Sequence, residues 1–345
     1  TTKAWGATDA ISPVTAIRIE RRALRPEDVD IEIQYCGVCH TDLHQVKNDW
    51  GSTHYPLVPG HEIVGTVRAI GSSVSKFAVG DCVAVGCLVD SCLECGACHD
   101  DQEMFCHKGA TGTYNGKDRL DGSPTYGGYA ATIVVREEFV LRVPKALDVT
   151  RVAPLLCAGI TSYSPLKNWN VGQGSRVGVI GLGGLGHMGV KLAKALGAEV
   201  TVITTSALKG ADAKMLGADH VLLSTDAEAM KLARRGFDFL LDTIPVAHDV
   251  SPYLLLLDRN GTLCLVGAID QMPSFHTGLL LGGQKAVAGS AIGGIAETQE
   301  MLDFCALNNI LPECEMIRMD EINTAFTRLE KADVKYRFVI DMATL

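Results

Sequence analysis

Hydrophobic and polar positions follow two regimes along this chain. Before residue 150 the repeat is two. Val29-Asp-Ile-Glu-Ile-Gln-Tyr35 alternates as a half-buried strand does. Ile63–Ile70, Cys82–Val85 and Ala131-Thr-Ile-Val-Val135 read likewise. Gly and Pro punctuate these runs at Pro56, Pro59-Gly60, Gly71 and Gly80, and helical periodicity is scarce. From residue 175 the regime changes to short β-branched runs separated by helical patterns. Strands are expected at 176–180, 199–204, 220–223, 237–242, 262–266 and 285–289. Six strands with helices between most of them predict an α/β fold with a doubly wound parallel sheet. The tail adds helical runs at 298–308 and 321–330 and a strand at 336–340.

The sharpest single pattern lies where the second regime begins. The run Val177-Gly-Val-Ile ends in Gly181-Leu-Gly183-Gly184-Leu185-Gly186, and a helical pattern follows to Leu196. Strand, glycine turn and helix together turn a weak G-x-G-x-x-G match into a dinucleotide-binding expectation. Gly181 permits the tight turn, Gly183 lets backbone approach a pyrophosphate, and Gly186 lets helix pack on strand. With Gly184 and Leu185 they form the expected cofactor-binding turn, and the N-terminus of the helix that follows faces phosphate. An NAD site usually has an acidic residue at the end of the next strand, about 20 residues beyond the glycines. Here Thr204-Thr-Ser-Ala-Leu-Lys209 stands instead, with no carboxylate until Asp212. A 2′-phosphate would be repelled by an acid there but can use hydroxyls and an ammonium. The expected cofactor is therefore NADP(H), held through Thr204, Thr205 and Lys209.

Length and composition then narrow the class. The chain has 345 residues, enough for two domains, and is 47% hydrophobic, enough for two cores. A net charge of −9 argues against nucleic acid and membrane surfaces as partners. No apolar stretch reaches the roughly 18 residues of a membrane span, and no leader opens the sequence, so a cytoplasmic protein is expected. In that compartment the 12 cysteines are expected as thiols or metal ligands, not disulfides.

Two constellations of metal-ligating residues follow. Cys92-x2-Cys95-x2-Cys98-x7-Cys106 places four thiols in a short polar loop. They can close around one structural zinc, with an iron–sulfur cluster as the rival. Cys82 and Cys87, in apolar surroundings, are expected in the core. The second constellation is dispersed over Cys36, Cys39, His40, His44, His61, Glu62 and Cys157. Two cysteines and a histidine from distant segments could make a three-ligand zinc with an exchangeable fourth position. Spacing alone does not assemble such a set, and a cysteine such as Cys157 in an apolar run is more often a packing residue.

Taken together, Cys39-His-Thr-Asp, Gly60-His-Glu, the four-cysteine loop, Leu156-Cys-Ala-Gly-Ile and the glycine turn resemble the zinc-dependent medium-chain alcohol dehydrogenases. The similarity is greatest to the cinnamyl-alcohol-dehydrogenase branch and its bacterial NADPH-dependent aldehyde reductases. It extends through Gly289-Ser-Ala-Ile-Gly-Gly-Ile-Ala-Glu-Thr and Asp333-Val-Lys-Tyr-Arg-Phe-Val-Ile-Asp.

The resemblance implies a GroES-like catalytic domain from 1–157 with 294–345, a Rossmann domain from 158–293, and a cleft between them for zinc and nicotinamide. It implies Cys39, His61 and Cys157 as catalytic zinc ligands, Glu62 as an alternate ligand, and Asp42 as the carboxylate orienting His61. Thr41, His44 and Asp49 match a proton relay, and Trp50 matches the substrate pocket. Gly267, Ala268, Ser290 and Ile292 match residues along the nicotinamide, and Arg337 matches an arginine reaching the cofactor phosphates. The implied protein is a homodimeric, two-zinc aldehyde reductase for small-molecule aldehydes or primary alcohols. Two other readings remain: a zinc-independent quinone or enone reductase, and a non-enzymatic zinc-containing redox sensor.

Overall fold

The computed structural model describes residues 1–267 and 271–345. These form two compact units, Thr1–Cys157 with Gly293–Leu345, and Ala158–Ile292.

The first unit is built on the long strand Asp28–Val38, whose alternating residues are buried. Its sheet runs Cys314–Arg318, Arg337–Asp341, Asp28–Val38, Ile63–Ile70, Cys82–Val85, Leu141–Arg142, with Thr132–Arg136 also against Asp28–Val38. The strand forks. Its N-terminal half pairs with Thr132–Arg136, and its C-terminal end pairs with Arg337–Asp341. That end delivers Cys39 to the start of a short helix, His40–Lys47. The helix escapes the sequence pattern because it is eight residues long and buries only Asp42, Leu43 and Val46. Gly37, two residues earlier, is required by a close approach: a Cβ there would lie 1.9 Å from Glu62 Oε2.

The second unit is a parallel sheet. Its strands are β1 (Arg176–Ile180), β2 (Glu199–Thr204), β3 (His220–Leu223), β4 (Phe237–Asp242), β5 (Leu257–Leu265) and β6 (Ala286–Gly289). Their order is β3-β2-β1-β4-β5-β6, the doubly wound arrangement whose strand order reverses between the paired neighbours β1 and β4. β5 begins five residues before the expected position, because Leu257 pairs with Phe237 before a register shift to Phe239↔Thr262. Ile180, Ile203, Leu240, Leu257 and Leu263 form the core on this sheet. Each such fully buried side chain contributes about 1.5–3 kcal/mol. Among the described residues no helix is long and apolar enough to cross a membrane.

Candidate active site

Three segments far apart in sequence meet in the first unit. Cys39 follows the forked strand, His61 and Glu62 precede Ile63–Ile70, and Cys157 follows a buried turn at Ala153–Leu156. Their ligand atoms all lie within 4.8 Å of one another, and all four residues are buried. The Cys39 and Cys157 sulfurs are 3.9 Å apart. Two thiolates on a tetrahedral zinc stand about 3.8 Å apart, given Zn–S bonds of about 2.3 Å. The donor set and its spacing therefore fit that ion.

Asp42 fixes the orientation of His61. The carboxylate is fully buried, accepts the Cys39 N–H at 2.9 Å and the Gly60 N–H at 3.0 Å, and lies 3.2 Å from His61 Nδ1. With Nδ1 so engaged, Nε2 is the nitrogen left for a metal. Tyr114 packs on the imidazole with ring centroids 5.7 Å apart, a contact that no local pattern signals. Burial alone would lower the His61 pKa, but the neighbouring Cys87 and Asp42 charges reverse it and push it well up. The hydrogen bond from Cys157 draws the Cys39 thiol well below the usual range, and its counterpart raises Cys157.

Two neighbours were not anticipated. The sequence places Cys87 in the core; instead its thiol is half-buried and donates to Leu156 O at 3.8 Å, and the neighbouring Cys157 thiol, outweighing burial, draws it below the ordinary thiol range. The apolar residues beside it conceal this, because only the folded chain shows where the sulfur points. Arg337, 4% exposed, donates from Nη2 to Glu62 Oε1, leaving Glu62 Oε2 buried without a hydrogen-bond partner. An orphaned carboxylate oxygen inside a metal-ligand set is what an alternate ligand offers.

Around this set, the helix His40–Lys47 places Thr41 and His44 one turn apart. His44 Nδ1 lies 2.7 Å from Asp49 Oδ2, and the His44 ring lies 5.3 Å from Trp50, which is 42% exposed.

Cys92, Cys95, Cys98 and Cys106 form a second cluster within 4.8 Å. The Cys95–Cys98 and Cys92–Cys98 sulfurs are 3.6 and 3.9 Å apart. A single tetrahedral ion matches that spacing, whereas a multi-iron cluster would spread the thiols well beyond contact. Backbone N–H groups of His107 and Cys98 draw Cys95 down to about 6, and burial pushes Cys98 up to about 11.

In the second unit, Gly181 has φ +90°. A Cβ on Gly186 would meet Gly181 O at 2.3 Å, whereas one on Gly183 would meet nothing within 4 Å. The first two positions serve the turn. Gly183 instead leaves open space beside the start of the helix Gly186–Ala195. Gly184 and Leu185 complete the turn, and Leu185 O accepts from Ser162 Oγ at 3.2 Å. At the end of β2, Thr204 is buried, Thr205 is exposed, and Lys209 sits in the first turn of the helix Ala207–Met215. Ser206 precedes that helix without a side-chain capping bond and donates its N–H to Thr204 Oγ1 at 3.2 Å. Gly267 is half-buried, and Ala268 lies outside the described residues. Ser290 N–H bonds Leu265 O at 3.1 Å. Ile292 adopts φ +42°, an uncommon value for a β-branched residue.

Residues 25–145 match the model of the alcohol dehydrogenase GroES-like domain, and residues 184–306 that of the zinc-binding dehydrogenases. The chain belongs to the zinc-binding alcohol dehydrogenases. Relatives within this family include the aldehyde reductase YahK of Escherichia coli, 52% identical over 99% of both chains. The NADP-dependent alcohol dehydrogenase C of Mycobacterium tuberculosis is 49% identical over 100% of this chain and 99% of its own. Among solved structures, a cinnamyl alcohol dehydrogenase from Sorghum bicolor superposes with a TM-score of 0.96 at 44% identity, covering 99% of this chain and 98% of that one. One from Helicobacter pylori, complexed with NADP(H), gives 0.93 at 43% identity over the same shares. This zinc-binding dehydrogenase thus joins a GroES-like unit to a Rossmann unit.

Proposed function

We propose that this chain is a zinc- and NADP(H)-dependent alcohol dehydrogenase working chiefly as an aldehyde reductase on a broad range of aldehydes and primary alcohols. One observation carries the reading: Cys39, His61 and Cys157 converge on one buried point, with Asp42 turning His61 toward it. When bound, zinc supplies a Lewis acid for the carbonyl oxygen and the reduced nicotinamide supplies the hydride.

The chain's own residues do the rest. Cys39, His61 and Cys157 hold the catalytic ion, with Glu62 as its alternate ligand, and Cys92, Cys95, Cys98 and Cys106 hold a structural one. Thr41 hydrogen-bonds the substrate oxygen and delivers a proton to it as the alcohol forms. His44, backed by Asp49, resupplies that proton from solvent. Trp50 walls the substrate slot. Thr204, Thr205 and Lys209 grip the 2′-phosphate, Gly181–Gly186 the pyrophosphate, and Gly267, Ala268, Ser290 and Ile292 the nicotinamide. A phosphate contact by Arg337 competes with its ion pair to Glu62.

We assign the enzyme to a reducing cytoplasm, in keeping with its 12 free thiols. We also assign it a homodimeric state, paired through β6. That strand ends the sheet order and is half-exposed.

The test combines metal analysis with kinetics. Two zinc per chain, loss of one in Cys39→Ser with loss of aldehyde-dependent NADPH oxidation, and a clear preference for NADPH over NADH are expected. Full activity of Cys39→Ser, or equal efficiency with both cofactors, would overturn the corresponding half of the proposal.

A further inference from the structure

One buried carboxyl–imidazole pair lies away from both cysteine clusters. Asp242 is the last residue of β4; its backbone is paired with Ile180 on β1 and Leu265 on β5. Its side chain is fully buried, and burial pushes its carboxyl above the ordinary range. One oxygen accepts the Ile244 N–H at 3.1 Å, and the other lies 2.8 Å from His248 Nε2. The second ring nitrogen, Nδ1, donates to Val246 O at 2.8 Å. Val246 thus fixes a proton on Nδ1. At Nε2 the bond holds whether the shared proton rides on the ring or on the carboxyl. A buried carboxylate needs such partners, because an unpaired one is costly.

The segment is anchored at its start, where Ile244 packs against the core of the sheet, but not at its tip. Pro245, Val246 and Ala247 are exposed, Val246 at 61%, so packing does not fix them. Yet the segment leaves the sheet at its switch point. Thr243 donates its N–H and its hydroxyl to Ile180 O at 3.0 and 2.8 Å. The same hydroxyl stands 3.0 and 3.2 Å from where a Cβ would project on Gly181 and Gly186. In open α/β sheets, ligands bind in the crevice at this point. Tyr253 packs edge-on against the far side of the His248 ring, with centroids 6.1 Å apart.

We propose that the Asp242–His248 pair holds residues 243–248 as one wall of the dinucleotide crevice, which makes His248 a cofactor-positioning residue. This rests on the NADP(H) reading above. An exposed loop ordered in advance spares the cofactor the entropy of ordering it. Releasing the loop weakens binding while leaving hydride transfer from a bound cofactor nearly intact.

The test is titration of the whole enzyme with NADPH, followed by its fluorescence without aldehyde, beside steady-state kinetics. His248→Leu should raise Kd and KM for NADPH about tenfold, with kcat at saturation changed far less. His248→Gln, whose amide nitrogen can reach Asp242, should recover most of the affinity. If H248L does not fold, His248→Asn keeps the bond to Val246 but not the reach to Asp242, and must show the same loss. A purely structural role would lower the melting temperature and kcat together and leave Kd unmoved, which overturns the inference. Failure of Gln to rescue also overturns it. Wild-type enzyme that binds no NADPH would remove this inference along with the functional reading. Wild-type binding matched by H248L would remove this inference alone.

Discussion

Thr41 shows how much can rest on one hydroxyl. It stands two residues beyond Cys39, on a helix whose first turn is locked by Asp42. If it delivers the proton to the nascent alcohol, Thr41→Val should cut kcat by about 10²–10⁴-fold while zinc content and NADPH affinity persist. Thr41→Ser should retain most activity, and paired kinetic and binding measurements would tell the two outcomes apart. At this scale the sequence is only partly readable. Cys39 and Cys157 are 118 residues apart, so no spacing rule joins them, and only a likeness between whole chains did. Cys87 misleads for the opposite reason. Its apolar neighbours are real, but a sulfur's direction is set by backbone geometry that a string of letters does not carry. The Arg337–Glu62 pair is similarly hidden, since it joins residues 275 apart.

Elements are legible where their signals are local. The glycine turn, the five strands from β1 to β4 and at β6, and the x2 spacing of the cysteine loop all carry their cause within a few residues. The helix His40–Lys47 and the early start of β5 do not. One is too short to show a period, and the other depends on a register shift against its partner strand. The cysteine loop is itself held together by sulfur contacts and N–H···S bonds, such as Cys92 N to Cys106 Sγ at 3.4 Å. It has little apolar packing of its own; Phe105 within it is 52% exposed. Four thiols at this spacing fit one ion, which would supply the order that apolar packing does not. Cys98→Ser should lower the melting temperature and solubility and remove one zinc per chain. The specific activity of the surviving folded fraction should change little; parallel metal analysis, thermal melts and active-site titration would check this.

For the whole molecule, acid stability offers a measurable consequence of how distant segments are tied. Asp118 links to Arg25 at 2.9 Å and to Arg22 at 3.3 Å, joining a loop near residue 120 to the entry of the central strand. Burial alone would raise the Asp118 pKa. The hydrogen bonds from Arg25 and the N–H groups of Leu120 and Asp121 prevail and bring it to about 2, below the unfolded value of 3.8. A carboxylate lowered on folding stabilises the native state above its unfolded pKa and loses that contribution as pH falls through the folded one. The window is thus pH 4 to 2. Asp118→Asn should lose on the order of 1 kcal/mol at neutral pH, after allowance for solvent screening, and should flatten the acid limb in that window. Urea midpoints measured across the range would show it, and parallel curves for the two proteins would refute it.

The order in which the chain is made gives one strand a late and decisive part. Arg337–Asp341 sits inside the first unit's sheet, between Cys314–Arg318 and Asp28–Val38, although the second of these neighbours is synthesised much earlier. A nascent chain stopped between Cys157 and that strand has Cys39, His61 and Cys157 already in hand, yet Glu62 beside them lacks Arg337 as its counterion. Loss of the strand that carries Arg337 would therefore strip Glu62 of its counterion and disturb a candidate metal centre whose ligands are encoded far upstream.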